Sequence, residues 1–224
     1  MYKILEKTQF SEKVFKFRIE APEMAKHAHA GQFLMVRANE TGERVPFTFA
    51  DWNPEEGWVE FIFMVIGKTT EMLSTYEAGD AIQDVTGPLG QPTEMGEGNW
   101  AVIGGGVGLA IAFPVARQLK ATGHEVHAIM GARTKDLLLL EDQFRSVLDD
   151  EHIHITTDDG SYGEKGVVTA PLERLLEAKA VDRVFCVGPV PMMKFSTLTA
   201  EKYGTPITAS LNPIMVDGTG MCGC

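Results

Sequence analysis

The residues best suited by type and spacing to do chemistry are Gly104, Gly105, Gly106 and Gly108. They lie in the run Trp-Ala-Val-Ile-Gly-Gly-Gly-Val-Gly from Trp100 to Gly108. The apolar residues before them suit a buried strand. Leu109 to Leu119 then carries apolar residues at helical spacing and closes on Ala121-Thr122-Gly123. Strand, glycine turn and helix together offer free backbone N–H groups and a positive helix end to a phosphate. The glycines also let the backbone approach a ligand closely. A turn that merely needs glycine is the alternative. The spacing Gly104-x-Gly106-x-Gly108 is tighter than G-x-G-x-x-G, and Glu125 precedes Val126–Met130 instead of following it. This is therefore not an ordinary Rossmann dehydrogenase start.

Further stretches carry candidate chemistry. Arg44-Val45-Pro46-Phe47-Thr48 places a guanidinium, whose planar fork suits a phosphate, four residues before a hydroxyl. A strand with one surface arginine would look the same. Met64-Val65-Ile66 runs into Gly67-Lys68-Thr69-Thr70, where orphan N–H groups and two hydroxyls suit a diphosphate; simple N-capping by Thr69 is the alternative. Arg133, Asp158 and Asp159 follow later strand candidates, and the two aspartates suit ribose hydroxyls or ordinary turns. Cys186-Val187-Gly188-Pro189 ends another strand candidate, with a thiol that is either functional or a small buried hydrophobe. In the tail, Asp217 and Cys222 occupy the first two positions of a Cys-x4-Cys-x2-Cys spacing, the plant-type 2Fe-2S pattern. The third ligand falls at position 225, so the chain is expected to stop inside the motif, with Cys224 on the variable residue between ligands.

Two kinds of element must position these groups. From Met1 to about Asp84 short alternating runs predict strands: Lys3–Thr8, Val14–Ile19, Gln32–Arg37, Val45–Ala50 and Val59–Val65. Loop-like joints such as Ala21-Pro22-Glu23 separate them, and Thr69–Tyr76 is expected to be a short helix. Such spacing predicts a small antiparallel barrel, with a ligand-free β-sandwich as the alternative. The turn-rich stretch Gly87–Gly98 marks a boundary, placed at 98/99. Beyond it strands (Ala101–Ile103, Val126–Met130, His152–Thr156, Arg183–Val187) alternate with helices (Leu109–Lys120, Glu141–Leu148, Thr169–Ala178, Met192–Tyr203). That order predicts a parallel sheet with ligands at the C-terminal strand ends. The fold class is thus β followed by α/β: a barrel over residues 1–98, a nucleotide-binding domain over 99–208 and a C-terminal segment from 209 to 224.

A formal charge of −11 argues against nucleic acid as a partner. No apolar run approaches the roughly 20 residues needed to cross a bilayer, so no membrane partner is expected. The N-terminus lacks a signal-peptide pattern, which predicts a cytoplasmic protein. The three cysteines, Cys186, Cys222 and Cys224, are no disulfide framework.

Taken together, these motifs resemble the ferredoxin–NADP reductase superfamily over the whole chain. Within it the sequence is similar to two related small subunits: the dihydroorotate dehydrogenase electron-transfer subunit, and the small subunit of NADH-dependent ferredoxin:NADP oxidoreductase, also described as sulfide dehydrogenase subunit beta. The resemblance implies an oxidoreductase with FAD on the barrel and NAD(H), rather than NADPH, on the second domain. In the family Arg44 would meet the FAD diphosphate, Thr48 the isoalloxazine, and Gly67–Thr70 the flavin. Gly104, Gly105, Gly106, Val107, Gly108, Arg133, Asp158, Asp159, Gly188 and Pro189 would contact the nicotinamide nucleotide, with Cys186 beside the nicotinamide. Thr48 and Cys186 are thus the expected catalytic residues, and Pro46 and Phe47 complete the flavin motif. Asp217 and Cys222 would ligate a 2Fe-2S cluster; the aspartate favours the second of the two small subunits, whose cluster is known for one. The implied function is electron transfer between NADH, FAD and the cluster inside an electron-bifurcating complex. Its larger partner would be a glutamate-synthase-like iron–sulfur flavoprotein subunit, and ferredoxin would be reached only through the complex. A non-catalytic docking module on the same scaffold is the reading from another class.

Overall fold

The computed structural model describes residues 1–211 and Met215. Asp217 and Cys222, the expected cluster ligands, lie outside the described residues. What is described falls into two units, Met1–Thr93 and Glu94–Leu211.

The first unit contains β1 (Tyr2–Ser11), β2 (Val14–Glu20), α1 (Pro22–His27), β3 (Phe33–Arg37), β4 (Arg44–Asn53), β5 (Trp58–Met64), α2 (Lys68–Ser74), β6 (Ala81–Ile82) and β7 (Asp84–Leu89). The strands form one antiparallel sheet in the order β6-β1-β2-β5-β4-β3-β7. Its two outermost strands are consecutive in the chain, with only Gln83 between them. The sheet must therefore curl until its edges meet, which makes it a barrel. Alternation fills the inside with aromatics: Phe17 packs edge-on against Phe61 and Phe63 at ring separations of 5.9 and 5.1 Å. On the opposite face of β2 and β5, Glu60 bonds Lys16 Nζ at 3.2 Å and Arg18 Nε at 2.8 Å. Two elements depart from the sequence reading. Ala21-Pro22-Glu23 opens α1, because Pro22 suits the first helical turn. β7 absorbs Gly87-Pro88, expected to be a turn; a proline at a sheet edge forfeits no ladder bond.

The second unit contains β8 (Trp100–Gly105), α3 (Leu109–Ala121), β9 (Val126–Ala132), α4 (Glu141–Val147), β10 (Ile153–Thr157), β11 (Glu164–Lys165), α5 (Thr169–Glu177), β12 (Arg183–Val187), α6 (Val190–Lys202) and β13 (Ile207–Ala209). The sheet is parallel throughout, in the order β11-β10-β9-β8-β12-β13. Strand order reverses at β8: the chain leaves it toward β9 and later returns on its other side as β12. The boundary read at 98/99 falls earlier, between Thr93 and Glu94. The reason is that Gly96–Gly98 pack on the second unit. Gly96 O accepts from Trp100 Nε1 at 3.1 Å, Glu97 O accepts from Arg183 Nε at 3.0 Å, and Gly98 O lies 3.0 Å from His124 Nδ1.

Candidate functional site

In the barrel the period of β4 sorts the Arg44–Thr48 motif into two faces. Val45, Phe47 and Phe49 point to the core, and Phe47 stacks on Phe61 at 5.0 Å with the rings 10° apart. Arg44, Pro46 and Thr48 therefore share the other face. Phe47, expected in the flavin site, is committed to the core, so it offers a ligand only its backbone. β4 pairs with β3 from Phe33↔Thr48 to Arg37↔Arg44, whereas its ladder with β5 starts at Phe49↔Phe61 and runs toward Asn53. Its other edge before Phe49 thus has no strand partner among the described residues, and Pro46 has no N–H to leave unpaired there. The Thr48 hydroxyl has no hydrogen-bond partner among the described residues. Arg44 is half exposed and meets Asp84 only at 3.5 Å. That carboxylate is held mainly by Arg37, so Arg44 has donors to spare.

At the end of β5 the Gly67–Thr70 turn divides its labour. The Thr70 hydroxyl accepts from the N–H groups of Ile66 and Gly67, at 3.0 and 3.1 Å, and donates to Gly67 O at 2.9 Å. Thr70 is buried and builds the turn. The capping role expected of Thr69 thus belongs to Thr70, and the second hydroxyl expected for a diphosphate is already used. Lys68 is exposed and Thr69 half-buried. A Cβ on Gly67 would meet nothing within 4 Å, and its φ of −167° suits any residue. Nothing among the described residues requires glycine there, which fits space kept for a bound group.

In the second unit the order reversal sets β8 beside β12, with Val187 opposite Gly104. The crevice beyond their C-terminal ends is where doubly wound sheets bind ligands. The two turns touch through glycines. A Cβ on Gly105 would lie 2.5 Å from Met192 Sδ, one on Gly108 2.5 Å from Val187 O, and one on Gly188 3.1 Å from Gly105 N. Gly104 would collide instead with α3, at 2.7 Å from Leu109 Cδ2. Packing inside the protein therefore explains Gly104, Gly105, Gly108 and Gly188. Gly106 differs: its φ is +56° and its Cβ would face open space, so it is the one glycine of the loop free to face a ligand. Val107 and Pro189 complete the two turns.

Cys186 does not reach that crevice. It is wholly buried in an apolar cluster with Ala101, Ile103 and Val184, and burial pushes its thiol up to about 11. The thiol expected beside a nicotinamide is thus a buried sulfur in this structure; the strand's last residue and the Gly188–Pro189 turn form the crevice wall. Arg133, Asp158 and Asp159 meet at the ends of β9 and β10, where Asp158 N donates to Ala132 O at 3.1 Å and Asp159 N to Arg133 O at 3.3 Å. Asp159 is a turn residue: its carboxylate accepts from Ser161 N at 2.9 Å, and hydrogen bonds from Ser161 hold it below the usual carboxylate range. Asp158 is exposed and leaves its carboxylate free for a hydroxyl.

This geometry can be set against known proteins. A family model described as the oxidoreductase FAD-binding domain matches residues 1–93. The Thermotoga maritima protein named dihydroorotate dehydrogenase B (NAD(+)), electron transfer subunit homolog, is 48% identical over 221 residues, 98% of this chain and 77% of that one. A Streptococcus mutans dihydroorotate dehydrogenase B (NAD(+)) electron transfer subunit is 30% identical over 228 residues, covering 98% and 84% of the two chains. A solved structure reported for flavin-based electron bifurcation by an NADH-dependent reduced ferredoxin-NADP oxidoreductase is 47% identical, with a TM-score of 0.91 over 100% of this chain and 80% of that one. The barrel, the parallel sheet and these relatives agree: the chain belongs to the FAD-binding oxidoreductases of ferredoxin–NADP reductase type, as an electron-transfer flavoprotein subunit.

Proposed function

We propose that this chain moves electrons between NADH, FAD and a 2Fe-2S cluster, as the small subunit of an NADH-dependent ferredoxin:NADP oxidoreductase complex. Its partner in this reading is a larger, glutamate-synthase-like iron–sulfur flavoprotein subunit, and ferredoxin is served through the complex, where bifurcation takes place. The observation that carries the reading is the whole-chain likeness, at 47% identity, to the structure reported for such an oxidoreductase.

The residues have distinct tasks in this reading. Arg44 pairs with the FAD diphosphate, and Thr48, with the open edge beside Pro46, meets the rim of the ring system. Gly67, Lys68 and Thr69 add backbone space, a cation and a hydroxyl for the phosphates, over a turn that Thr70 keeps in shape. The Gly104–Gly108 loop, with Gly106 turned outward, and the Gly188–Pro189 turn receive the dinucleotide. Asp158 binds a ribose hydroxyl, and Arg133 stands at the neighbouring strand end. Cys186 is left as packing beneath the crevice. FAD supplies, when bound, the exchange between hydride and single-electron chemistry, so no side-chain acid or base is demanded. Asp217 and Cys222 are the cluster ligands of this reading.

A second reading has a specific observation in its favour: relatives at 48% and 30% identity are named as a dihydroorotate dehydrogenase electron transfer subunit or its homolog. The deciding experiment is anaerobic reduction of the purified, yellow protein. NADH is expected to bleach the flavin faster, and at lower concentration, than NADPH. A stable complex with the larger iron–sulfur flavoprotein subunit is expected on co-purification. Dihydroorotate-dependent flavin reduction in the purified complex would transfer the chain to the second reading. A colourless protein, or a flavin that neither nucleotide reduces, would leave only a docking module.

A further inference from the structure

At the end of the parallel sheet opposite the crevice, two strands begin with the same alternation. Glu125-Val126-His127 leads into β9 and His152-Ile153-His154 into β10. The register Ile153↔Ala128 sets His152 beside His127, and a period of two puts Glu125, His127, His152 and His154 on one sheet face. The Glu125 carboxylate lies 3.6 Å from His127 Nε2 and 3.5 Å from His152 Nε2. One ligand atom from each of the three residues falls within 4.8 Å of the others. The two carboxylate–imidazole separations are long for hydrogen bonds. They are close to the roughly 3.3 Å between donor atoms around a tetrahedral ion with bonds of about 2.0–2.1 Å.

A buried atom points the same way. His127 is 8% exposed, yet its Nε2, the atom that faces Glu125, has no hydrogen-bond partner among the described residues. On its far side His127 Nδ1 sits 3.3 Å from His154 Nε2. If that Nδ1 donates, the Nε2 lone pair is fixed toward Glu125, which is how a second imidazole orients a metal-bound histidine. An open cleft lined by Lys120, His124, Glu125, Glu151 and His152 gives access to solvent.

We propose that Glu125, His127 and His152 form a binding site for a divalent cation of the zinc class, which ties the start of β9 to the start of β10, with water completing the shell. Two imidazoles and one carboxylate suit zinc, and among the described residues no thiol joins the group to favour softer ions. The site is separate from the flavin and nucleotide residues and does not depend on their assignment.

The test is competition for Zn2+ between the complete, cofactor-loaded protein and a chromophoric chelator. Beyond zinc held by cysteines, one equivalent is expected. It should be lost in His127→Gln and His152→Gln, and in Glu125→Gln, whose half-exposed side chain can be altered without disturbing the core. His154→Phe, which removes the supporting acceptor but no ligand, should weaken binding about 10–100-fold. Flavin bleaching by NADH, read in the same samples, should be unchanged. An unaltered zinc equivalent in any folded variant of the three ligands, or a parent protein that takes no zinc from the chelator beyond its cysteines, would overturn the site.

Discussion

Replacing Gly108 by alanine asks what the glycine loop is for. Its φ of −58° is helical, so alanine brings no backbone strain and even raises helix propensity. The difficulty is steric. The new Cβ would lie 2.5 Å from Val187 O, 2.9 Å from Val187 C and 3.0 Å from Gly188 Cα. The first of these is about 1 Å inside the 3.5–4.0 Å of an unstrained contact. All three atoms are backbone, so no rotamer change relieves them, and the turn after β8 must move away from the turn after β12. Overpacking of this kind costs about 1–3 kcal/mol. A shift of about 1 Å in a positioning loop lowers a rate by about 100-fold. Gly106→Ala is the counterpart: its Cβ meets nothing, but at a φ of +56° it costs about 1–2 kcal/mol of backbone strain. Urea unfolding and stopped-flow flavin reduction by NADH are the assays. Gly108→Ala should lose both stability and nucleotide-dependent rate. Gly106→Ala should lose stability modestly while its apparent nucleotide affinity drops, because its methyl enters the space left for the ligand. A Gly108→Ala protein with parental stability and parental reduction kinetics would refute the packing argument.

Other consequences are as direct. Arg44→Ala should weaken flavin retention by about 1.5–3 kcal/mol, the worth of a charge-assisted contact; full flavin occupancy with unchanged affinity would remove Arg44 from that role. Glu60→Ala should destabilise the protein by about 1–3 kcal/mol in chemical unfolding, because Lys16, itself nearly buried, and Arg18 lose the carboxylate they share and keep only the more exposed Glu6. A shift well under 1 kcal/mol would show the pair to be solvated in solution. Cys186 should resist alkylation in the native protein and react only on unfolding, given its burial and a thiol pushed up to about 11; peptide-resolved mass spectrometry would reveal native labelling if that is wrong. In the full-length protein Asp217→Cys should change the cluster's reduction potential and the EPR signal of the reduced form. Unchanged values for both would exclude Asp217 as a ligand.

Much of this protein was legible in its sequence. Alternation along β2, β4 and β5 separates inward phenylalanines from outward charges, and that period alone puts Arg44, Pro46 and Thr48 on one face and Phe47 on the other. The change to alternating strands and helices after the Gly87–Gly98 stretch identifies the parallel sheet. Both signals are local, carried by residues two to four apart, so chain order suffices to read them. Tertiary structure decided the remainder. Whether a glycine serves a ligand or a neighbour depends on atoms distant in the chain, and only the pairing of β8 with β12 shows Gly105 against Met192 and Gly108 against Val187. The same pairing buries Cys186, for which the sequence left a functional thiol and a small buried hydrophobe both open. Thr70 replaced Thr69 as the capping residue because the chain's path out of β5 aims its hydroxyl at Ile66 and Gly67. The histidines escaped notice for a related reason: Glu125 and His127 are ordinary in one strand, as are His152 and His154 in another, and only register brings the two pairs together.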